Sequence, residues 1–208
     1  MIQIFTGHPG LGASVTLDNM HRDRKRIFVD LLRWAVPIVD SVFEVDQFDT
    51  LDATYLIDAR EDGEHLGSFR LLRTDRPHLL GSIFPDLCEG PFPAGPSILE
   101  ITRGCLSPRL RAAERLRVRN RLISTAVDYA LDQGLSHFTC IADSGWLKQI
   151  ATLGWDCRPL GAPQRIAGVM TGALQIVLSD RTVEALRAGG TYTQVALVHA
   201  DAVTELAA

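Results

Sequence analysis

Apolar residues at helical spacing first appear at Leu17, Met20, Ile27, Phe28, Leu31 and Leu32. They predict one helix running to about Trp34, with Ser14 or Thr16 in position to cap it. Ahead of it, residues 2–5 read as a short strand. After a polar stretch the period drops to two, and residues 53–59 and 65–72 predict strands joined near the turn signal Asp62-Gly63, as in an antiparallel hairpin. Residues 97–106 predict a third, strongly apolar strand. Ser107-Pro108 then opens a long helix from about Leu110 to Gln133, and Gly134 stops it. Strand 135–142, helix 145–153 ending at Gly154, and strand 169–178 complete the pattern. A meander followed by alternation predicts an α/β (α+β) fold with a mixed, centrally antiparallel sheet, not a uniformly parallel one.

The polar exceptions to this pattern are ionic. Arg24 lies on the apolar stripe of the first helix, four residues from Met20 and from Phe28, so it points where water is scarce and needs a partner. Arg70 interrupts the strand Ser68-Phe69-Arg70-Leu71-Leu72, and Glu100 and Arg103 interrupt Ile98-Leu99-Glu100-Ile101-Thr102-Arg103. A buried ion pair adds little stability over an apolar pair, while a stranded partner costs about 3–5 kcal/mol. Several such charges therefore mark a site more than a scaffold. Glu100 and Arg103 are three apart and would face opposite sides of a regular strand. If both serve one site, the strand contains a bulge.

Composition narrows the classes. The 208 residues are 46% hydrophobic and 22% charged, which fits one globular domain spanning 1–208. No apolar run approaches the ~20 residues of a membrane span, and the N-terminus lacks a signal-peptide pattern, so a cytoplasmic protein without membrane insertion is expected. Cys88, Cys105, Cys140 and Cys157 are scattered without metal-ligand spacing, and no metal is expected. A net charge of -4 argues against nucleic acid as a partner. The loop Gly7-His8-Pro9-Gly10-Leu11-Gly12 has the wrong order for a dinucleotide or phosphate loop and reads as a flexible turn. Arginines 109, 111, 115, 117, 119 and 121 form either the solvated face of an amphipathic helix or a docking patch for an acidic partner.

The pieces Arg24-xxx-Phe28-xxxxx-Trp34, Glu44-Val45-Asp46-Gln47-Phe48-Asp49, Gly67-xx-Arg70-Leu71-Leu72-x-Thr74, Phe84-Pro85-x-Leu87 and Glu100-Ile101-Thr102-Arg103 stand in one order over residues 20 to 105. In this the chain resembles the acyl-homoserine-lactone synthases, bacterial enzymes that make quorum-sensing autoinducers. Leu99, Thr102 and Gly104 depart from that family's usual residues and bear on the shape of the acyl pocket.

The resemblance implies a three-layer domain of the GCN5-type N-acetyltransferase kind with a bulged central strand. It implies no cofactor. S-adenosylmethionine is a substrate, and the donor is an acyl thioester on acyl carrier protein, a transient acidic partner, or on coenzyme A. Arg24, Phe28, Trp34 and Arg103 would bind S-adenosylmethionine, while Asp46, Asp49, Arg70, Glu100 and Arg103 would form the catalytic set. Glu100 is the candidate base, and the three arginines balance Asp46, Asp49 and Glu100 in charge. Phe84, Leu99, Thr102, Cys140 and Ala142 would line the acyl pocket, and Lys148 with Arg115 would dock the carrier. Because neither Cys140 nor Ala142 is a good donor and Thr139 points the other way, chains without a 3-oxo group are expected. The competing readings are an N-acyltransferase of the same fold acting on another amine, and a non-catalytic sensor.

Overall fold

The computed structural model describes residues 1–200. In chain order its elements are β1 (Ile2–Thr6), α1 (Val15–Arg24), β2 (Ile38–Val39), β3 (Phe43–Glu44), β4 (Thr54–Ala59), β5 (His65–Arg73), α2 (Leu79–Ile83) and β6 (Ile98–Leu106). There follow α3 (Ala112–Asp132), β7 (His137–Asp143), α4 (Ser144–Ala151), β8 (Asp156–Pro159), β9 (Gln164–Ile166), β10 (Val169–Val177), α5 (Thr182–Ala188) and β11 (Leu197–His199). The fold is mixed α/β with a mixed sheet of nine strands. Two compact units divide the chain, and β5, β6 and α3 each pass from one to the other.

The first unit holds residues Met1–Arg70, Arg103–Thr125 and 194–200. Strand β1 pairs antiparallel with β4, Ile4 opposite Leu56, and parallel with β11, Ile2 opposite Leu197. Its core gathers Ile2, Ile4, Phe5, Tyr55, Leu56 and Ile57. Ser14 caps α1 by accepting the Leu17 N–H, as its position predicts. The expected helix to Trp34 changes character at Lys25, where seven residues, Lys25–Leu31, wind as a π-helix. The extra residue per turn rotates the stripe off the core. Phe28 stays buried, but Leu31 and Leu32 are exposed, which corrects their assignment to the buried face.

Gly67 is where α3 meets β5. A Cβ there would come within 2.7 Å of Val118 and 2.9 Å of Leu106, so only glycine permits this approach. Asp23, the residue before Arg24, is buried and accepts from Arg109 (2.9 Å), Arg26 (2.9 Å) and the His65 ring (2.9 Å). This fastens α1 to β5 and to the start of the arginine-rich segment.

The second unit holds residues Leu71–Thr102 and Ala126–Thr193. Strands β6 and β7 run parallel, with Glu100 opposite Thr139, and β10 pairs antiparallel with β7, with Ala173 opposite Ile141. Strands β8 and β9 add to β10. Leu80, Leu87 and Ala173 form an apolar cluster on which Phe84, Cys88, Phe92, Ile141, Leu160 and Ile166 pack.

Candidate active site

Arg24, the last residue of α1, is fully buried, and its guanidinium is divided between two carboxylates. One edge meets Glu44, and the other donates to both oxygens of Asp49 at 2.8 and 2.9 Å. Arg70 donates to both oxygens of Asp46 at 2.6 and 3.0 Å and also reaches Asp49 at 2.9 Å. Arg103 bridges Glu44 (2.9 Å) and Asp46 (2.6 Å). Three arginines and three carboxylates thus alternate in a closed, electrically neutral cluster. The third carboxylate is Glu44 and not Glu100, a correction to the charge balance expected from the sequence.

The local chain explains how the acids converge. The Asp49 carboxylate accepts the Asp46 N–H at 2.8 Å and the Asp46 carboxylate accepts the Phe48 N–H at 2.8 Å, so the loop 46–49 is tied by its own side chains. The Tyr55 hydroxyl donates to Asp49 at 2.9 Å. Burial by itself would raise the Asp49 carboxyl. Arg24 and Arg70 overturn that and hold it far below the usual carboxylate range, and Arg70 and Arg103 likewise hold Asp46 low against its burial. Burial, then the Asp49 charge, push the Tyr55 phenol well up.

Aromatic rings border the cluster. Phe28 is buried and stacks on Trp34, 43% exposed, at 4.8 Å and 15°. The Arg103 guanidinium lies 5.5 Å from the Phe28 ring, and that of Arg70 lies 5.8 Å from Phe48. Arg103 itself has φ +50°, a left-handed residue inside β6. This is the break in alternation expected from the Glu100–Arg103 spacing, and it turns the Arg103 side chain toward the first unit's carboxylates.

Two histidines sit behind Glu44. His21 is buried, donates from Nδ1 to the Glu44 carbonyl oxygen at 2.8 Å, and meets His8 of the glycine-rich loop at 3.0 Å between Nε2 atoms. Burial, reinforced by Arg24, depresses the His21 ring to about 3, so it is neutral at pH 7. The loop Gly7–Gly12 thus contributes a side chain to the support of the cluster.

In the second unit, Glu100 is fully buried and its carboxylate accepts the N–H groups of Leu79 (2.7 Å) and Leu80 (2.8 Å), the first residues of α2. It takes the place of a helix cap. The expected acyl-pocket residues separate by strand face. Direct partners across a ladder project to the same side, so Glu100, Thr139, Ile141 and Ala173 share one face with the apolar cluster, on which Phe84 packs. Thr102 shares Glu100's parity. Leu99, Cys140 and Ala142 alternate to the other face, and a single pocket does not collect all five. Thr139, set aside in the sequence reading, is the hydroxyl on Glu100's side.

The expected docking residues also differ. Lys148 is an exposed side chain in α4. Arg115 is half-buried and donates to the Ser107 carbonyl at 3.2 Å, while Arg109 is engaged by Asp23 and Glu64 and Arg121 by Asp58. Arg109, Arg111 and Arg117 are the exposed members of that row. Sequence reasoning missed Glu44, His21 and Tyr55 as members of the site. Glu44 alone carried a signal, two residues before Asp46 in the same motif.

The chain is similar in sequence and in fold to known proteins. The autoinducer synthase family model matches residues 11–186. The acyl-homoserine-lactone synthase of Rhizobium etli is 32% identical over 173 residues, covering 81% of each chain. The isovaleryl-homoserine lactone synthase of Bradyrhizobium diazoefficiens is 28% identical over 171 residues, 82% of this chain and 76% of that one. Among solved structures, the CoA-dependent acyl-homoserine lactone synthase BjaI with MTA superposes with a TM-score of 0.84 at 25% identity, over 98% of this chain and 96% of that one. The same enzyme with SAM and isopentyl-CoA gives 0.82 at 26% identity over the same shares. A putative N-acetyltransferase from Lactobacillus plantarum, 14% identical with a TM-score of 0.55 over 86% of this chain and 99% of that one, shares the fold.

Proposed function

We propose, from the premise that the chain belongs to the autoinducer synthase family and is an acyl-homoserine-lactone synthase, how its residues divide the reaction and which donor it uses. The neutral cluster of Arg24, Arg70, Arg103, Glu44, Asp46 and Asp49 is the observation that carries the reading. S-adenosylmethionine presents an amine, a carboxylate and a sulfonium. A buried cluster of alternating charges answers each with the opposite sign by exchanging one internal pair for one to the ligand. Phe28 and Trp34 wall the ligand, and their faces suit the sulfonium cation.

Glu100 is the base. The α-amine has a pKa near ~8 and gives up its proton readily. The amine nitrogen then attacks the thioester carbonyl, the carbon–sulfur bond breaks, and the free thiol leaves. Backbone N–H groups where β6 departs from regular pairing at Arg103 polarise that carbonyl. Next, an oxygen of the methionine carboxylate attacks its own γ-carbon, and the sulfonium departs with the bonding pair as methylthioadenosine. Holding the chain for ring closure removes much of the entropic barrier.

Coenzyme A is the donor carrier. Support comes from the likeness to CoA-dependent synthases over nearly the whole chain. Leu99, Cys140 and Ala142, which alternate to one face of β6 and β7, border the acyl chain. Mass spectrometry of the protein with S-adenosylmethionine and either acyl-CoA or the same acyl group on carrier protein tests the assignment. Lactone, methylthioadenosine and free coenzyme A are expected, with the coenzyme A thioester turned over faster. An amide without methylthioadenosine indicates a different N-acyltransferase, and faster turnover of the carrier-protein thioester reverses the choice of donor.

A further inference from the structure

Roughly 100° around α1 from Arg24, the preceding residue is held by a second ionic cluster. Asp23 is fully buried, and each of its oxygens accepts twice. Arg109 donates from one amino group to Oδ1 and from the other to Oδ2, both at 2.9 Å. Arg26 adds a donor to Oδ1 and His65 Nδ1 adds one to Oδ2, again at 2.9 Å. Burial by itself would raise the Asp23 carboxyl; His65 and Arg109 outweigh it and hold the group well below the usual carboxylate range.

The clamp continues inward. Burial lowers the His65 ring below its ordinary value against the pull of Asp23, so the ring is neutral at pH 7. Its Nδ1 faces a carboxylate and carries the proton, which leaves Nε2 to accept from the Ser68 hydroxyl at 3.0 Å. Ser68, His65 and Asp23 thus have the hydrogen-bond order of a hydrolase triad. With Ser68 only 1% exposed, its hydroxyl is closed to any substrate carbonyl, and the chain serves as a brace.

What it braces is the point where the helix changes its winding. The π-helical run starts at Lys25, two residues after Asp23, and ends with the Leu32 N–H reaching back five positions to the Ile27 carbonyl at 2.9 Å. Such runs are rare and occur mostly at functional sites. Asp23 is joined to Arg26 inside the run and to His65 and Arg109 outside the helix, so it fixes the rotation of the chain at the switch. Arg24 must meet Glu44 and both oxygens of Asp49 at once, and that arrangement tolerates little rotation.

We propose that Arg109, acting through Asp23, is a positioning residue for S-adenosylmethionine, because it fixes the rotation that aims the Arg24 guanidinium. Arg109 binds Asp23, Glu64 and the His65 carbonyl, none of them in the ring of six charges, and its side chain is 40% exposed. The inference rests on the reading that S-adenosylmethionine binds at that ring.

Steady-state kinetics with S-adenosylmethionine and an acyl-CoA thioester, each varied in turn, test it. In Arg109→Ala the KM for S-adenosylmethionine should rise about tenfold, while kcat and the KM for the thioester change by less than about threefold. Arg109→Lys keeps the charge but loses the two-pronged contact. It should raise the same KM about threefold, and it serves if the alanine variant fails to fold. In an Asp23→Asn background, removing Arg109 should add no more than about twofold, since its route to Arg24 is already cut. An unchanged KM for S-adenosylmethionine in folded Arg109→Ala overturns the proposal. A parallel loss in kcat and in both KM values does so too, since it marks general loosening. Arg24→Lys separates the clamp from the ligand's placement. If the KM for S-adenosylmethionine responds to Arg24→Lys and not to Arg109→Ala, the clamp alone is wrong; if it responds to neither, the ring is not the binding site and the proposal falls with it.

Discussion

Glu44 is the residue whose removal should be felt most sharply, because it is fully buried and holds two arginines at once. In Glu44→Gln the side chain keeps its shape but loses its charge. One oxygen remains to accept, and the new amide group turns N–H donors toward a guanidinium. The cluster goes from three positive and three negative groups to an excess of one buried positive charge. Breaking a buried pair in this way costs about 3–5 kcal/mol. For a chain of this length each kcal/mol lowers the melting temperature by about 2–4 °C, so a drop of roughly 6–20 °C is expected. Differential scanning calorimetry of both proteins measures it directly. Repeating the scans with S-adenosylmethionine adds a second readout, since the variant should also gain less from the ligand. A melting temperature within about 2 °C of the parent would mean that Arg24 and Arg103 are satisfied without Glu44, and the reading of a closed cluster would be wrong.

Glu100→Gln should lower acyl transfer by roughly 100-fold or more, and near-normal turnover in a well-folded variant would remove Glu100 from the base role. Charge reversal at Lys148 or Arg115 should raise KM for chains on carrier protein, more so at low salt. Because Arg115 is tied to the Ser107 carbonyl, Lys148→Glu is the cleaner probe, and an unchanged KM for it would rule out docking at that surface. His21 contributes to acid sensitivity. Its folded pKa of about 3 lies below its ordinary value of 6.5, so the unfolded chain takes up the proton first and stability falls as pH drops from 6.5 toward 3. The slope approaches about 1.4 kcal/mol per pH unit for one proton. Denaturant titrations between those limits should show a shallower slope in His21→Gln, and an equal slope would refute the assignment.

Periodicity made the helix cap at Ser14 and the buried set Leu17, Met20 and Phe28 legible, because each depends on neighbours three or four positions away. It failed at Leu31 and Leu32, where a π-helical stretch adds a residue per turn that no apolar pattern announces. That Arg24 needs a partner followed from its place on an apolar face. Which partner did not, since Glu44 is 20 positions from Arg24 and 59 from Arg103, and the pairing is made by tertiary approach. The break in β6 could be stated only conditionally from the Glu100–Arg103 spacing, and the left-handed Arg103 supplies it. The side of the sheet facing the apolar cluster was hidden for a similar reason. Counting along β7 tells which residues alternate, but only the register to β6 tells that Thr139 stands with Glu100. Short elements such as α2 and β9 owe their form to such partners and left no periodic trace.

The closed ring of Arg24, Asp49, Arg70, Asp46, Arg103 and Glu44 behaves like a fragment of an ionic lattice in which every site already has neighbours of opposite sign. A guest enters such a lattice only by substitution, ion for ion. A molecule that fits by outline but lacks one charge leaves a vacancy among buried ions, and that penalty is charged before any contact of shape is made. On the proposed placement of S-adenosylmethionine at this ring, discrimination against its uncharged-sulfur relatives is a matter of counting charges, and it should weaken little in high salt, because buried charges are screened far less than exposed ones.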